Sequence, residues 1–526
     1  MNRASAMALT SLIVLSLTAC APIGEPASHT DAPAVTPAID KSTPAPNASA
    51  VPEIVVPEAR PPALCDAGNG ADVGEFLPYE AYTEGAYALV SMSGGKASPE
   101  TEGVRQYGGY LKIDRPGVYV LEGTYRGGIL VDAKKDDDVR IVLNGTQIEN
   151  PDGAAIYVKK AGRFTLSLAP GTSNTLADGA TYTNSAFEDA KGAVHAKCTT
   201  IVNGAGALSL KGNGNNGLHV KGGLFMGECT IEAETMNNAF TADTTLFIRD
   251  GVFHVAAGGG HKAYDNEKGK AFRAGDWLQI NGGEFLIDSA DDALHSKDLV
   301  LIKGGEFLIQ TGDDAVHADG EAAIYGGNLQ IPNCYEGIEG HIIEIHGGVL
   351  SINADDDGLN VAGGGTDTKE IKDGARLMIY GGSIDIVAKS DGLDANGDIF
   401  LYGGDIRVNG AEKGKGDGAI DYDGCFEVHG GSLIGAGGAN IEQAPPSNCG
   451  QPVLYGNLSS AQKAGTTLKL IDQHGALIMS YQPPKNFQQV YFSHAELTVG
   501  ETYTVMVDES IAFQGTLLSM VMRMDE

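Results

Sequence analysis

The chain has 526 residues, a formal charge of −32 and 73 glycines. That charge argues against nucleic-acid binding, because phosphates are repelled, and the absence of a Gly-X-Y period excludes collagen. No Cys-x-x-Cys pair occurs among the 7 cysteines, which speaks against a thiolate zinc or redox motif.

Residues 1–20 read as a removable leader. Arg3 supplies a positive start, Ala8 to Leu17 form a short apolar run, and Leu17-Thr18-Ala19-Cys20 closes it. The run is too short to span a bilayer. Leu-Thr-Ala-Cys resembles a bacterial lipoprotein signal, which implies lipidation of Cys20 as the only membrane attachment. With Ala21 rather than Asp after the cysteine, the resemblance implies a cell-envelope protein at the outer membrane or cell surface. Residues 21–62, rich in Pro, Ala, Thr and Ser, bury too little to fold and read as a tether. Cys65, Cys198, Cys229, Cys334, Cys425 and Cys449 are even in number, which permits disulfides in an oxidising compartment.

Residues 63–138 lack the repeat that follows and are expected to cap it. From about 139 to 445 the chain repeats. Gly-Gly pairs begin at Gly282, Gly304, Gly326, Gly347, Gly381, Gly403 and Gly430, a period of about 22 residues with two longer intervals. Apolar residues alternate on both sides of each pair, as in strands with one buried face. Ile302, Ile324, Ile345, Ile379 and Leu401 fall in register, as do Phe307, Leu329, Leu350, Ile384 and Ile406. Two strands, a Gly-Gly corner and a turn cannot close a core alone, but stacked coils can. The expected fold is all-β, a right-handed parallel β-helix. Residues 446–526 read as short antiparallel strands forming a C-terminal β cap.

Between the coils runs a second phrase: Asp291-Asp292-Ala293-Leu294-His295, Asp313-Asp314-Ala315-Val316-His317 and Tyr335-Glu336-Gly337-Ile338-Glu339. It continues as Asp356-Asp357-Gly358-Leu359-Asn360, Ser390-Asp391-Gly392-Leu393-Asp394 and Asp417-Gly418-Ala419-Ile420-Asp421. The fourth position is apolar and should point inward, leaving the second and fifth outward. Stacked carboxylates repel, so the pattern calls for a counter-charge. Calcium, with its six to eight oxygen ligands, fits Asp291, Asp292, Asp313, Asp314, Glu336, Glu339, Asp356, Asp357, Asn360, Asp391, Asp394, Asp417 and Asp421. His295 and His317 fit it less well. The plain alternative is that Asp, Asn and Gly simply make good turns. Tyr325, His346, Tyr380 and Tyr402, just before the glycine pairs, form either a sugar-stacking platform or a structural aromatic ladder.

The phrases at 312–320, 335–340 and 354–360, each followed by a Gly-Gly strand, resemble a carbohydrate-binding domain family of polysaccharide-lyase-like β-helices. The likeness extends to Leu143-Asn144-Gly145 and Gly500-Glu501-Thr502-Tyr503-Thr504. It implies calcium at the acidic phrases and a polysaccharide along the coils, acidic and pectin-like or cellulosic, without established enzymatic activity. Two other readings stay open. One is a pectate-type lyase using calcium with Arg273 or Lys297 as base; the other is a structural or adhesive surface protein.

Overall fold

The computed structural model describes residues 79–524 except 83–85, 94–95, 99–101, 264–267, 363–373, 414–415, 440–442, 444 and 446–447. The leader, the tether, Cys20 and Cys65 therefore lie outside the described residues. Cys198, Cys229, Cys334, Cys425 and Cys449 are free thiols, so the even count does not translate into bridges among them.

The described chain is all-β, arranged as a mixed sheet of 41 strands and an antiparallel sheet of four. Its central part repeats three strands rather than the two expected. In one coil these are Leu294–Ser296, Leu299–Ile302 and Glu306–Thr311. The first comes from the acidic phrase itself, read from sequence as a turn. Leu294 and Ser296 face inward and His295 outward, so three residues suffice for the alternation. Each strand pairs in parallel with its counterpart one coil later: Leu294 with Val316, Ile302 with Ile324, Phe307 with Leu329. This pairing already includes Ala88–Ser93 with Gly117–Arg126 and Tyr110–Ile113 with Gly128–Asp132, upstream of the expected start at 139.

Register places like over like. Ile302, Ile324, Ile345, Ile379 and Leu401 form one buried column, and Phe307, Leu329, Leu350, Ile384 and Ile406 another. Phe253, Phe285 and Phe307 stack inside at 5.1 and 4.5 Å. Equal spacing of equal side chains lets each column bury continuously.

At its C-terminal end the stack stops. Ser432–Gly437 pairs antiparallel with Phe487–Ser493, which offers no edge for another parallel coil. The four-stranded sheet of Leu468–Ile471, Leu477–Tyr481, Thr502–Val507 and Ser510–Thr516 follows, its Leu470, Tyr503 and Val505 sharing a second core with Ile434, Val490 and Phe492 of the large sheet. Lys485 ties this region to the coils by donating to the carbonyls of Ala388 and Gly410.

The Gly-Gly corners divide the work between their two residues. In each pair from Gly282 to Gly430 the second glycine has positive φ, as at Gly305 (+118°). A Cβ on Gly305 would also lie 2.9 Å from the Phe307 ring and 3.1 Å from the Gly283 carbonyl. Gly304 has only the Asn281 carbonyl, at 3.1 Å from a Cβ, and no positive φ. Gly305→Ala is therefore expected to lose about 1–3 kcal/mol in denaturant unfolding, and Gly304→Ala clearly less; equal losses would remove the backbone argument.

Candidate metal and glycan face

The short first strand of each coil builds a continuous outward row. Paired residue by residue, it runs Tyr157, His195, His219, Thr241, Arg273, His295, His317, Glu339, Asn360, Asp394, Asp421. These are the fifth positions of the phrase and its upstream equivalents. The row starts aromatic and basic and ends acidic.

The second positions behave differently from expectation. Asp292, Asp314, Glu336 and Asp391 are buried, with exposures of 1, 3, 8 and 6%. Asp292, Asp314 and Asp391 turn into the coil junction, where each accepts from a backbone N–H of the next coil. Asp292 Oδ1 accepts from Asp314 N at 3.3 Å, Asp314 Oδ1 from Glu336 N at 3.3 Å. Asp357 Oδ1 accepts from Asp391 N at 2.7 Å, and Asp391 Oδ1 from Gly418 N at 2.6 Å. Upstream, Asn216 Oδ1 takes Asn238 N at 3.1 Å and Asn238 Oδ1 takes Lys270 N at 3.0 Å. An uncharged amide thus does the same backbone work. The negative charge farther along is surplus to the turn and has to be balanced by something else.

Two clusters balance it differently. In the first, Lys270 occupies the second position and its Nζ donates to Asp291 Oδ1 at 2.5 Å and Asp292 Oδ2 at 2.6 Å. His295 Nδ1 lies 2.8 Å from Asp292 Oδ2, and His317 Nδ1 lies 2.8 Å from both Asp314 Oδ2 and Glu339 Oε2. Burial opposes ionisation of Asp292, but the His295 hydrogen bond and the Lys270 charge hold its carboxyl below the ordinary range. Asp313, partly buried beside Asp292 and Asp291, is pushed up to about 6.

The second cluster has oxygen donors only. Glu336, Asp356 and Asp357 bring carboxylate oxygens within 4.8 Å of one another, and Asp391, Asp394 and Asp421 do the same. Asn360 stands between them in the row. Glu336 Oε2 and Asn360 Oδ1 are buried without a hydrogen-bond partner. Burial and then neighbouring carboxylates push Glu336 to about 8, Asp394 to about 8 and Asp357 to about 7; burial likewise lifts Asp391 to about 8. Hard oxygens, crowded and at least half-buried, with Glu336 Oε2 and Asn360 Oδ1 left unpartnered, fit a calcium-sized cation. Asp417 belongs to neither set of converging oxygens, though its charge acts on Asp357 and Asp421.

The aromatic row lies on the next strand's face, away from the carboxylates. Tyr325, His346, Tyr380 and Tyr402 stack at 4.2, 4.6 and 5.2 Å with near-parallel planes. Their faces are covered by one another. What the row offers outward is edges, with His346 Nε2 already 2.9 Å from Glu344; flat stacking of a sugar on each ring does not fit this packing. Arg273 stands in the carboxylate row between Thr241 and His295, half-buried, and Lys297 is exposed beyond the strand end, outside the row. Lys270 escaped the sequence reading, although Lys270-Ala271-Phe272-Arg273 repeats the register of Asp292-Ala293-Leu294-His295.

The raised carboxyls carry a sign. A group whose folded pKa exceeds its unfolded value stabilises at low pH, and that contribution is lost as pH rises through the folded value. His195 and His219, depressed to about 3 and 4 by burial, act oppositely, but only below 6.5. His317, raised, acts in the same sense as the carboxyls. Melting temperature of chelator-treated protein should therefore fall between pH 6.5 and 8, the range set by Glu336, Asp391 and Asp394. Saturating calcium should flatten the fall; a profile that rises across this window would contradict the account.

The carbohydrate-binding domain-containing protein family matches residues 107–358 and 313–441 of the chain. A carbohydrate-binding domain-containing protein of Acetivibrio thermocellus is 34% identical over 128 residues, which is 23% of this chain and 45% of that protein. The match thus spans less than half of the relative's length. A solved structure, the polysaccharide lyase-like protein from C. thermocellum in a gadolinium derivative, aligns at 24% identity with a TM-score of 0.37, covering 47% of this chain and 91% of that one. With most of the repeating region matched, the chain belongs to the carbohydrate-binding domain-containing protein family.

Proposed function

We propose that this protein is a calcium-dependent polysaccharide-binding protein of the bacterial cell envelope, a right-handed parallel β-helix carried on a lipid anchor at Cys20. The observation that carries the calcium reading is the substitution along one ladder. Asn216 and Asn238 satisfy the next coil's N–H as neutral amides, whereas Asp357 and Asp391 do it with charge. Evenly neutral coils would have served the fold. Glu336, Asp356, Asp357, Asn360, Asp391, Asp394 and Asp421 are the residues that would hold the ion. Bound calcium supplies the counter-charge and leaves coordination positions for acidic sugar oxygens, so a negative protein can hold a negative, pectin-like chain. Repetition of equivalent coils multiplies weak contacts along a repeating polymer. A cellulosic ligand would gain little from the ion.

The test exploits the upstream amides. Asp357→Asn, Asp394→Asn and Asp421→Asn together keep hydrogen-bonding groups in place while removing three charges. Binding to polygalacturonate in calcium should weaken at least about tenfold, ~1.4 kcal/mol, with binding to a neutral glucan unchanged. Binding insensitive to EDTA and to the triple variant would leave the acidic face structural.

Arg273 gives the lyase reading its specific support. Its guanidinium shares the row with the acidic groups and has no ion-pair partner among the described residues. Unsaturated product absorbance from polygalacturonate with calcium, lost in Arg273→Ala, would turn the binding protein into an enzyme. For the anchor, Cys20→Ala should move the protein from the membrane fraction to the soluble one; retention in the membrane would contradict lipidation.

A further inference from the structure

The first cluster differs from the second in carrying imidazoles, and we propose that Asp314, His317 and Glu339 form a site for a divalent transition cation of the zinc class. The proposal stands apart from the calcium and glycan readings and uses different side chains, although Glu339 shares its coil with Glu336.

The geometry is set by backbone register. Asp314 and His317 lie three residues apart in one coil, and Glu339 pairs with His317 from the next. His317 Nδ1 is 2.8 Å from Asp314 Oδ2 and 2.8 Å from Glu339 Oε2, and the three donor atoms lie within 4.8 Å of one another. Donors on neighbouring corners of a coordination shell with bonds of about 2.1 Å stand roughly 3 Å apart. One Nδ1–H cannot point along two hydrogen bonds at once, so a proton serves these two carboxylates poorly. A cation bonded to the bare nitrogen satisfies all three.

Three further observations bear on the same place. His317 Nε2 lies 3.4 Å from Asp319 Oδ1, a carboxylate placed to hold the other ring proton and aim Nδ1 inward. Glu336, 8% exposed, keeps Oε2 buried and unpartnered in the coil of Glu339. Asp292 Oδ2, 3.9 Å from His317 Nδ1, already accepts from Lys270 and His295. The Lys270 ammonium thus fills the preceding position and leaves the next coil to an external ion.

The donor set selects the ion. Calcium wants six to eight oxygens; one imidazole with two carboxylates is a set used by zinc and its neighbours. Sequence reading set zinc aside for want of a Cys-x-x-Cys pair. Parallel pairing assembles the ligands from residues of two coils instead.

The experiment uses the whole mature chain without a histidine tag, stripped with EDTA. Zinc titrated by calorimetry should give a high-affinity event that survives excess calcium. Cobalt used as a probe should acquire the visible spectrum of an imidazole-bound ion, and zinc should displace it. His317→Ala and His317→Gln should each weaken zinc binding about tenfold or more, whereas Asp394→Asn with Asp421→Asn should leave it intact. Cobalt that keeps the spectrum of the aquo ion, displacement by calcium, or full affinity in both His317 variants would overturn the proposal. The wild-type spectrum and the calcium competition decide the matter even where a variant fails to fold.

Discussion

Parallel stacking of near-identical coils is the constraint from which the rest follows. Adjacent strands sit about 4.8 Å apart, so each side chain stands directly over its counterpart. For Ile302, Ile324 and Ile345 that arrangement is favourable, since each buries the next. For Phe285 over Phe307 it gives parallel rings at 4.5 Å. For like charges it is costly. Any carboxylate column in such a stack therefore requires an answer to the question of what neutralises it.

The chain answers it in two ways, and the difference separates the two ends of the face. Near Asp291 and Asp292 the neutralising group is covalently part of the protein, the Lys270 ammonium, aided by His295. At Glu336, Asp356, Asp357, Asp391, Asp394 and Asp421 no basic side chain among the described residues forms an ion pair, and Glu336 and Asn360 leave buried oxygens without donors. In the first arrangement Asp291 and Asp292 are countered from within the chain. The second is completed only by protons or by a cation from outside, and protons are a poor answer near neutral pH because they leave when the medium becomes slightly alkaline.

The sequence reveals the repeat because a Gly-Gly pair and its flanking alternation are local patterns. The inward columns follow from them directly. Less legible was the direction of the second-position carboxylates. Pattern alone sends Asp292 and Asp314 outward; a free N–H in the neighbouring coil, more than 20 residues away in sequence, draws them in. Lys270 was hidden for a similar reason, since its coil lacks the acidic phrase that marked the others. The aromatic row was visible, but not that equal spacing would turn Tyr325, His346, Tyr380 and Tyr402 onto one another. Strand alternation gives a side of the sheet; it does not say what covers that side.

This packing also decides which surface can answer to a charged polymer. An aromatic column whose rings cover each other contributes mainly stability, and its outward edges carry no net charge to match a uronate. The carboxylate row differs in kind, because its side chains change along the stack from Arg273, His295 and His317 to Glu339, Asn360, Asp394 and Asp421. A chain with a formal charge of −32 has no general attraction for an acidic glycan. On the proposed reading, attraction would have to be local, arising where Arg273 stands or where a bound cation would reverse the sign of the carboxylates. Both places lie on the one row, held in line by the same backbone register that stacks the core beneath it.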